Sequence, residues 1–215
     1  EGLTGLPAEV QHFALLPHLL EITKATRKSV VHRPVHMDYI GIKRFDKNGQ
    51  AIGEIRFLGL FTSIVYYQSA IDVPVIRRKI NRVLARANFD PDSHDGKSLK
   101  AILEFSPRDE LFQMNEDELF DYAMGVLSLE AHPDVHLFLR RDVFERFISC
   151  MMFIPRERFT TALTSGLMAP SSTRMCSRAA ASRAVRLGER GAVMDQAAFF
   201  APFDRMPSRW LIANT

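Results

Sequence analysis

Imidazole, carboxylate, thiol and guanidinium groups at short spacing are where a chain can hold a metal, move a proton or clamp an anion. This sequence offers few such clusters. His32 and His36 lie four residues apart, which puts two imidazoles on one side of a helix or of a strand. Pro34 between them disfavours a helix, the surrounding pattern is extended, and no third ligand accompanies the pair, so no metal site is assigned. His36 beside Asp38 is read as a structural polar contact. Ser93-His94-Asp95-Gly96-Lys97 has the residue types of a proton-transfer site, yet adjacent residues rarely converge on one substrate atom. The same stretch suits a loop entering a helix with Ser93 or Asp95 as its cap, and that reading is preferred.

Pro107-Arg108-Asp109-Glu110 and Arg140-Arg141-Asp142 each set arginine beside a carboxylate. A guanidinium fork matches a carboxylate in two parallel hydrogen bonds, so these residues can clamp a small anionic effector or lock loops and subunit contacts. The structural alternative is expected, because such pairs are common on surfaces and contribute little. Arg77, Arg78, Arg82 and Arg86 read as the solvated face of a helix rather than an anion site. Cys150 sits in an apolar run, where a thiol behaves as a small hydrophobe. Neither Gly-x-Gly-x-x-Gly nor Gly-x-x-x-x-Gly-Lys-Ser/Thr occurs, which leaves a nicotinamide cofactor without an evident seat. No catalytic, cofactor-binding or metal-ligating residue is assigned.

The elements that must position these groups follow from pattern. Residues 21–68 are extended in character, and residues 39–46 and 51–61 are expected to form two antiparallel strands joined at Asn48-Gly49. The second strand is apolar on both sides (Ile55, Phe57, Leu58, Leu60, Phe61), which predicts a central, doubly covered position. A helix follows, with Asp72 as cap, Pro74 in its first turn, and Ile76, Ile80, Val83, Leu84 and Ala87 on one face. A shorter helix is expected over residues 96–104, with Leu99, Ile102 and Leu103 inward. Another begins at Asn115, where Glu118 completes a capping box and Leu119, Phe120, Ala123, Val126 and Leu127 form the buried stripe. Residues 135–141 and 147–154 read as strands, with Leu137, Leu139, Phe147 and Phe153 in the core. The fold class is α+β: antiparallel hairpins packed with helices.

Composition bounds the rest. The chain has 215 residues, 47% of them hydrophobic, enough for one or two domains with a real core. Residues 1–163 hold 21 basic and 22 acidic side chains and residues 164–215 hold 7 and 3, so the net charge of +3 lies in the tail. A nucleic-acid partner, which needs a basic stripe on a folded face, is not expected. Nor is a membrane partner, for want of about 18 consecutive apolar residues. Two cysteines without a framework spacing favour a reducing, cytoplasmic location. A chain opening on Glu1 rather than Met suggests a fragment. Beyond Leu163 no period of 2 or 3.6 persists, and no lysine follows Lys100. Residues 164–215 are read as a disordered or frameshifted tail.

The segments HRPVHMDYIGIKRFD (32–46), GEIRFLGLFTS (53–63), SHDGKSLKAILE (93–104), PRDELFQ (107–113), LFLRRDVFERFISC (137–150) and FIPRERFTT (153–161) occur in one order and spacing. Together they resemble the bacterial large NAD-specific glutamate dehydrogenases, over roughly residues 23–163. The resemblance implies the non-catalytic region before the dehydrogenase domain, where ACT-like modules lie. Residues 1–134 would form an α+β non-catalytic segment, and residues 135–163 the truncated start of an ACT-like module. It implies oxidative deamination of glutamate to 2-oxoglutarate with NAD for the parent enzyme, and no cofactor bound by this chain. The implied partners are the rest of the parent chain, further copies of it in a homo-oligomer, and an amino-acid effector. The family's glycine-rich, lysine-containing substrate motifs have no counterpart in residues 1–215, so no catalytic residue carries over. After FTTAL the sequence departs from the family's charged helix into TSGLMAPSSTRMCSRAAASR, as a shifted reading frame in GC-rich DNA would produce. A free-standing effector-binding module is the alternative reading, and an independent enzyme using His94, Asp95 and Lys97 a third.

Overall fold

The computed structural model describes residues 18–31, 34–132, 134–144 and 146–155, together with the backbone of 179–186 and 193–202. The chain divides into two compact units at Tyr67/Gln68.

The first unit is an antiparallel sheet of β1 (Leu20–Lys28), β2 (His36–Phe45) and β3 (Ala51–Gly59), in that spatial order. Side chains alternate across a strand, so register decides the faces. Ile22 pairs with Ile40 and Ile40 with Phe57, while Leu20 pairs with Ile42 and Ile42 with Ile55. These six residues form one apolar face. Thr23, Tyr39, Lys43, Glu54 and Arg56 fall on the other.

The expected hairpin is present, with two corrections. The connection is longer than a two-residue turn, and only Gly49 takes a positive φ (79°). The Asp46 carboxylate sets it instead, accepting from the backbone N–H of Asn48 (2.9 Å) and of Gln50 (2.8 Å). An aspartate that bonds its own downstream backbone replaces the strained pair of left-handed residues a tighter turn needs. Secondly, β3 is not central. Among the described residues β2 lies in the middle, and Ile55, Phe57 and Leu58 are about half exposed (49%, 54% and 51%). An apolar sequence on both sides of a strand reveals affinity for cover, not which strand receives it.

The second unit opens with a 3-10 turn at Ala70–Asp72. Four helices follow; with the single turn at Ile64–Tyr67 as α1, they are α2 (Pro74–Ala87), α3 (His94–Phe105), α4 (Arg108–Gln113) and α5 (Glu116–Ala131). Then come β4 (His136–Arg141) and β5 (Phe147–Pro155), and β6 (Ala179–Arg186) and β7 (Val193–Pro202) complete an antiparallel sheet of order β4-β5-β7-β6. The α+β class is therefore found, with the ACT-like start at β4 and β5. The sequence pattern indicated no element in the tail, whereas the backbone of residues 179–186 and 193–202 forms strands here. The remainder of residues 156–215 lies outside the described residues.

The helices bury one another's apolar faces. Ile76, Ile80 and Val83 of α2 are buried as the spacing predicts, with Leu84 and Ala87 partly covered. Val73, not Asp72, occupies the N-cap of α2, and no side chain caps it. Asp72 is instead the last residue of the 3-10 turn, one position too early. In α5 the capping box of Asn115 and Glu118 is formed, both bonds at 2.9 Å. The buried stripe there is Leu119, Tyr122, Ala123, Val126 and Leu129, so Phe120 and Leu127 sit at its margin. Tyr122 is buried because the sheet lies against it: its ring meets Phe138 edge-on at 5.2 Å and Phe153 at 6.3 Å. Gly125, one turn along, lets the helix approach, for a Cβ there would stand 2.7 Å from the Phe138 ring. Phe153 is in the core, while Leu137, Leu139 and Phe147 are only partly buried.

Candidate functional site

A buried ion pair in the second unit is built around Glu110. Its α4 helix is short and was not legible as one; the structure brings its carboxylate onto the sheet. Arg140 of β4 and Ser149 of β5 are cross-strand partners, so their side chains stand together on one face. Glu110 reaches both. Arg140 donates from Nε to Oε2 (2.9 Å) and from Nη2 to Oε1 (3.1 Å), the two-pronged geometry of a matched fork. Ser149 Oγ donates to Oε1 at 2.7 Å, and Gln113 Oε1 accepts from Arg140 Nη2 at 3.3 Å. Glu110 is 1% exposed and Arg140 8%. Burial alone would lower the Arg140 pKa, but the charge and hydrogen bonds of Glu110, then Glu118 and Asp142, outweigh it, and the guanidinium is held above its ordinary value.

The two arginine–carboxylate motifs are thus joined to each other through Glu110 and Arg140. Arg108 turns away to donate to the carbonyls of Glu104 (2.8 Å) and Gln68 (3.0 Å) and to the Glu104 carboxylate (3.3 Å). Glu104 in turn accepts from Ser69 Oγ and the Ala70 N–H, tying α3 to the 3-10 turn. Asp142, buried at the end of β4, accepts from Arg146 Nε (2.7 Å) and Nη2 (3.1 Å) and from the Phe144 N–H (3.2 Å), which closes the β4–β5 connection. The structural role expected for these residues holds for Arg108, Glu110, Arg140 and Asp142, although the pair is buried and not the surface pair anticipated. Arg141 is exposed on the opposite face of β4.

The other candidates are dispersed. Ser93 caps α3, accepting from the Gly96 N–H at 3.0 Å, as the capping reading requires. Gly96 is needed at that position, since a Cβ would lie 2.2 Å from the Asp90 carbonyl oxygen. His94 is exposed, 3.4 Å from Asp95 and 3.8 Å from Glu130, and Asp95 and Lys97 are exposed as well. His36 Nδ1 lies 3.0 Å from the Ala25 carbonyl oxygen, while Asp38 pairs with Lys24 at 2.5 Å and accepts from the Phe61 N–H. The contact read between His36 and Asp38 is therefore replaced by separate partners on β1 and beyond β3. His32 lies outside the described residues, as does Cys176. Among the described residues no group of three His, Cys, Asp or Glu is placed to hold a metal, and no helix is long and apolar enough to cross a membrane. Cys150 is buried in β5 (3% exposed).

Arginines of α2 do more than face solvent. Arg82 pairs with Glu116, and Arg86 with Asp117 at 2.6 Å while lying 4.0 Å over the Phe120 ring. Lys79, which sequence reasoning passed over, donates to the carbonyls of Leu111 (3.1 Å), Phe112 (2.7 Å) and Met114 (2.5 Å). A cation there satisfies the unpaired carbonyls at the C-terminal end of α4 and complements its dipole.

The first unit carries a second polar group on its non-apolar face. Glu54 accepts from Tyr39 Oη at 2.6 Å and from Arg56 Nε at 3.1 Å, and Gly41 leaves room for that carboxylate. Burial first, then the hydrogen bond and charge of Glu54, raise the Tyr39 pKa well above its ordinary value. Burial lowers that of Lys43, against the opposing charges of Glu54 and Glu21.

Comparison with known proteins agrees with this architecture. Residues 73–132, from the start of α2 to the end of α5, match the family model described as glutamate dehydrogenase, helical motif 1. Residues 136–181, beginning at β4, match glutamate dehydrogenase, ACT2 domain, and that match runs past Leu163, where the sequence reading placed the departure. An NAD-specific glutamate dehydrogenase of Halomonas elongata is 44% identical over 160 residues, which is 74% of this chain and 10% of that protein. The enzyme of the same name from Pseudomonas aeruginosa is 43% identical over 164 residues, again 74% and 10%. That of Mycobacterium tuberculosis is 36% identical over 113 residues, 53% and 7%. The chain spans about a tenth of the length of the first two relatives. Helices then sheet, in the order and at the boundaries of those two segments, place this chain in the family of large bacterial NAD-specific glutamate dehydrogenases, in the region of the helical motif and the ACT2 domain.

Proposed function

We propose that this chain is a structural and regulatory segment of an NAD-specific glutamate dehydrogenase and has no dehydrogenase activity alone. The observation that carries the reading is the Glu110 cluster, whose donors and acceptors are spent on one another inside the fold. A reacting site instead leaves polar groups convergent on a cleft that substrate can enter. Oxidative deamination of L-glutamate to 2-oxoglutarate, with reduction of NAD, is then the work of the parent enzyme, and the partners of this segment are the rest of that chain and further copies of it in the cytoplasm. Purified chain mixed with NAD and glutamate should produce no rise in nicotinamide absorbance. A rise that scales with protein and survives repurification refutes the proposal.

The match of residues 136–181 to an ACT2 domain favours a second reading, a module that binds an amino-acid effector by itself. Calorimetric titration with each common amino acid separates the two. Saturable heat with one of them supports the module; none supports the purely structural segment.

A further inference from the structure

The boundary between the helical stretch (73–132) and the sheet that starts at residue 136 falls in a connection of a few residues, which would ordinarily suggest two bodies joined by a hinge. The side chains across it suggest otherwise. Glu110 belongs to the helices, and its two carboxylate oxygens accept from both β4 and β5, through Arg140 and Ser149. Gln113, one turn further along α4, joins the same network. Beside it Tyr122 of α5 meets Phe138 and Phe153 of the sheet, and Gly125 allows the close approach. A hinge between two bodies needs a wet or slippery interface. Here any separation would strand a carboxylate that is 1% exposed and a guanidinium that is 8% exposed.

We propose that the helical stretch and the β4–β5 hairpin open and close as one cooperative body, with Glu110 as the residue that couples them. A displacement of the hairpin is then a displacement of α4 and α5, and a signal received on either is felt by both. The inference goes beyond the proposed function, since it concerns which residues move together and holds whether or not the chain binds an effector.

Native-state hydrogen exchange on the full chain tests it. The slowest amides of α5 (within Leu119–Leu129) and of β5 (within Ile148–Ile154) should have protection factors within roughly threefold of each other, as members of one opening unit do. Arg140→Met should lower both sets by the same factor, about tenfold or more, and the milder Ser149→Ala by the same few-fold. If Arg140→Met does not fold, the wild-type protection factors and Ser149→Ala decide. Faster exchange of β5 than of α5 by roughly tenfold in the wild type overturns the proposal. So does a variant that loosens one set alone, or that loosens neither.

Discussion

Arg140→Ala is the sharpest perturbation of the second unit. The side chain removed is 8% exposed and supplies both prongs of the fork on Glu110, leaving that carboxylate, 1% exposed, with only the Ser149 hydroxyl as a donor in the cluster. Breaking a buried pair from one side costs about 3–5 kcal/mol, because the orphaned charge stays in the low-dielectric interior. Against a total of about 5–15 kcal/mol for a domain, that is a large fraction of the stability. A control separates orphaned charge from lost packing. In Glu110→Gln combined with Arg140→Met, the amide oxygen still accepts from Ser149 and a methionine stem fills the volume of the arginine. The double variant should fall within about 1–2 kcal/mol of the wild type, since a buried pair replaced on both sides is near neutral. Urea unfolding followed by circular dichroism measures all three proteins. An Arg140→Ala cost below about 1 kcal/mol would mean that water reaches the pair and that the burial argument is wrong. A double variant at least as unstable as the single would mean that packing, not charge, is what Arg140 contributes.

Ile80→Asp places a carboxylate at a position 3% exposed and should unfold the helical region, costing several kcal/mol, while Arg82→Asp should lower stability by under about 1 kcal/mol by losing an exposed pair with Glu116. Equal melting shifts for these two would mean that the α2 face is misassigned. Gly96→Ala should cost about 1–3 kcal/mol in thermal melting, because its Cβ would lie 2.2 Å from a backbone oxygen that cannot rotate away; an unchanged melting temperature refutes the close approach. Tyr39 keeps its proton in the folded state at pH values where the unfolded chain releases it, so its contribution is intact below pH of about 10 and is lost as pH rises further. Phenolate absorbance should therefore show a late step whose amplitude falls by one tyrosine in Tyr39→Phe; a late step of unchanged amplitude in that variant refutes the assignment.

Local chemistry was legible in the sequence wherever neighbours along the chain decide the outcome. Ser93 and Asn115 cap their helices because an N-cap needs only a short acceptor and backbone N–H groups two or three positions on. The α2 face could be read because a period of 3.6 brings Ile76, Ile80 and Val83 to one side regardless of what covers them. The family resemblance likewise rests on residue order alone, and the comparisons support it. What required the tertiary structure were choices between distant partners. Arg108 and Asp109 flank Glu110 in sequence, yet Glu110 pairs with Arg140, thirty positions away, because β4 and β5 present Arg140 and Ser149 on the face that α4 meets. Tyr122 enters the core because the sheet supplies Phe138 and Phe153, which no periodicity within α5 announces. Strand β3 has the composition of a central strand but lies at the edge of the described sheet, since hydrophobic burial is non-directional and only hydrogen-bond register selects which strand stands beside which.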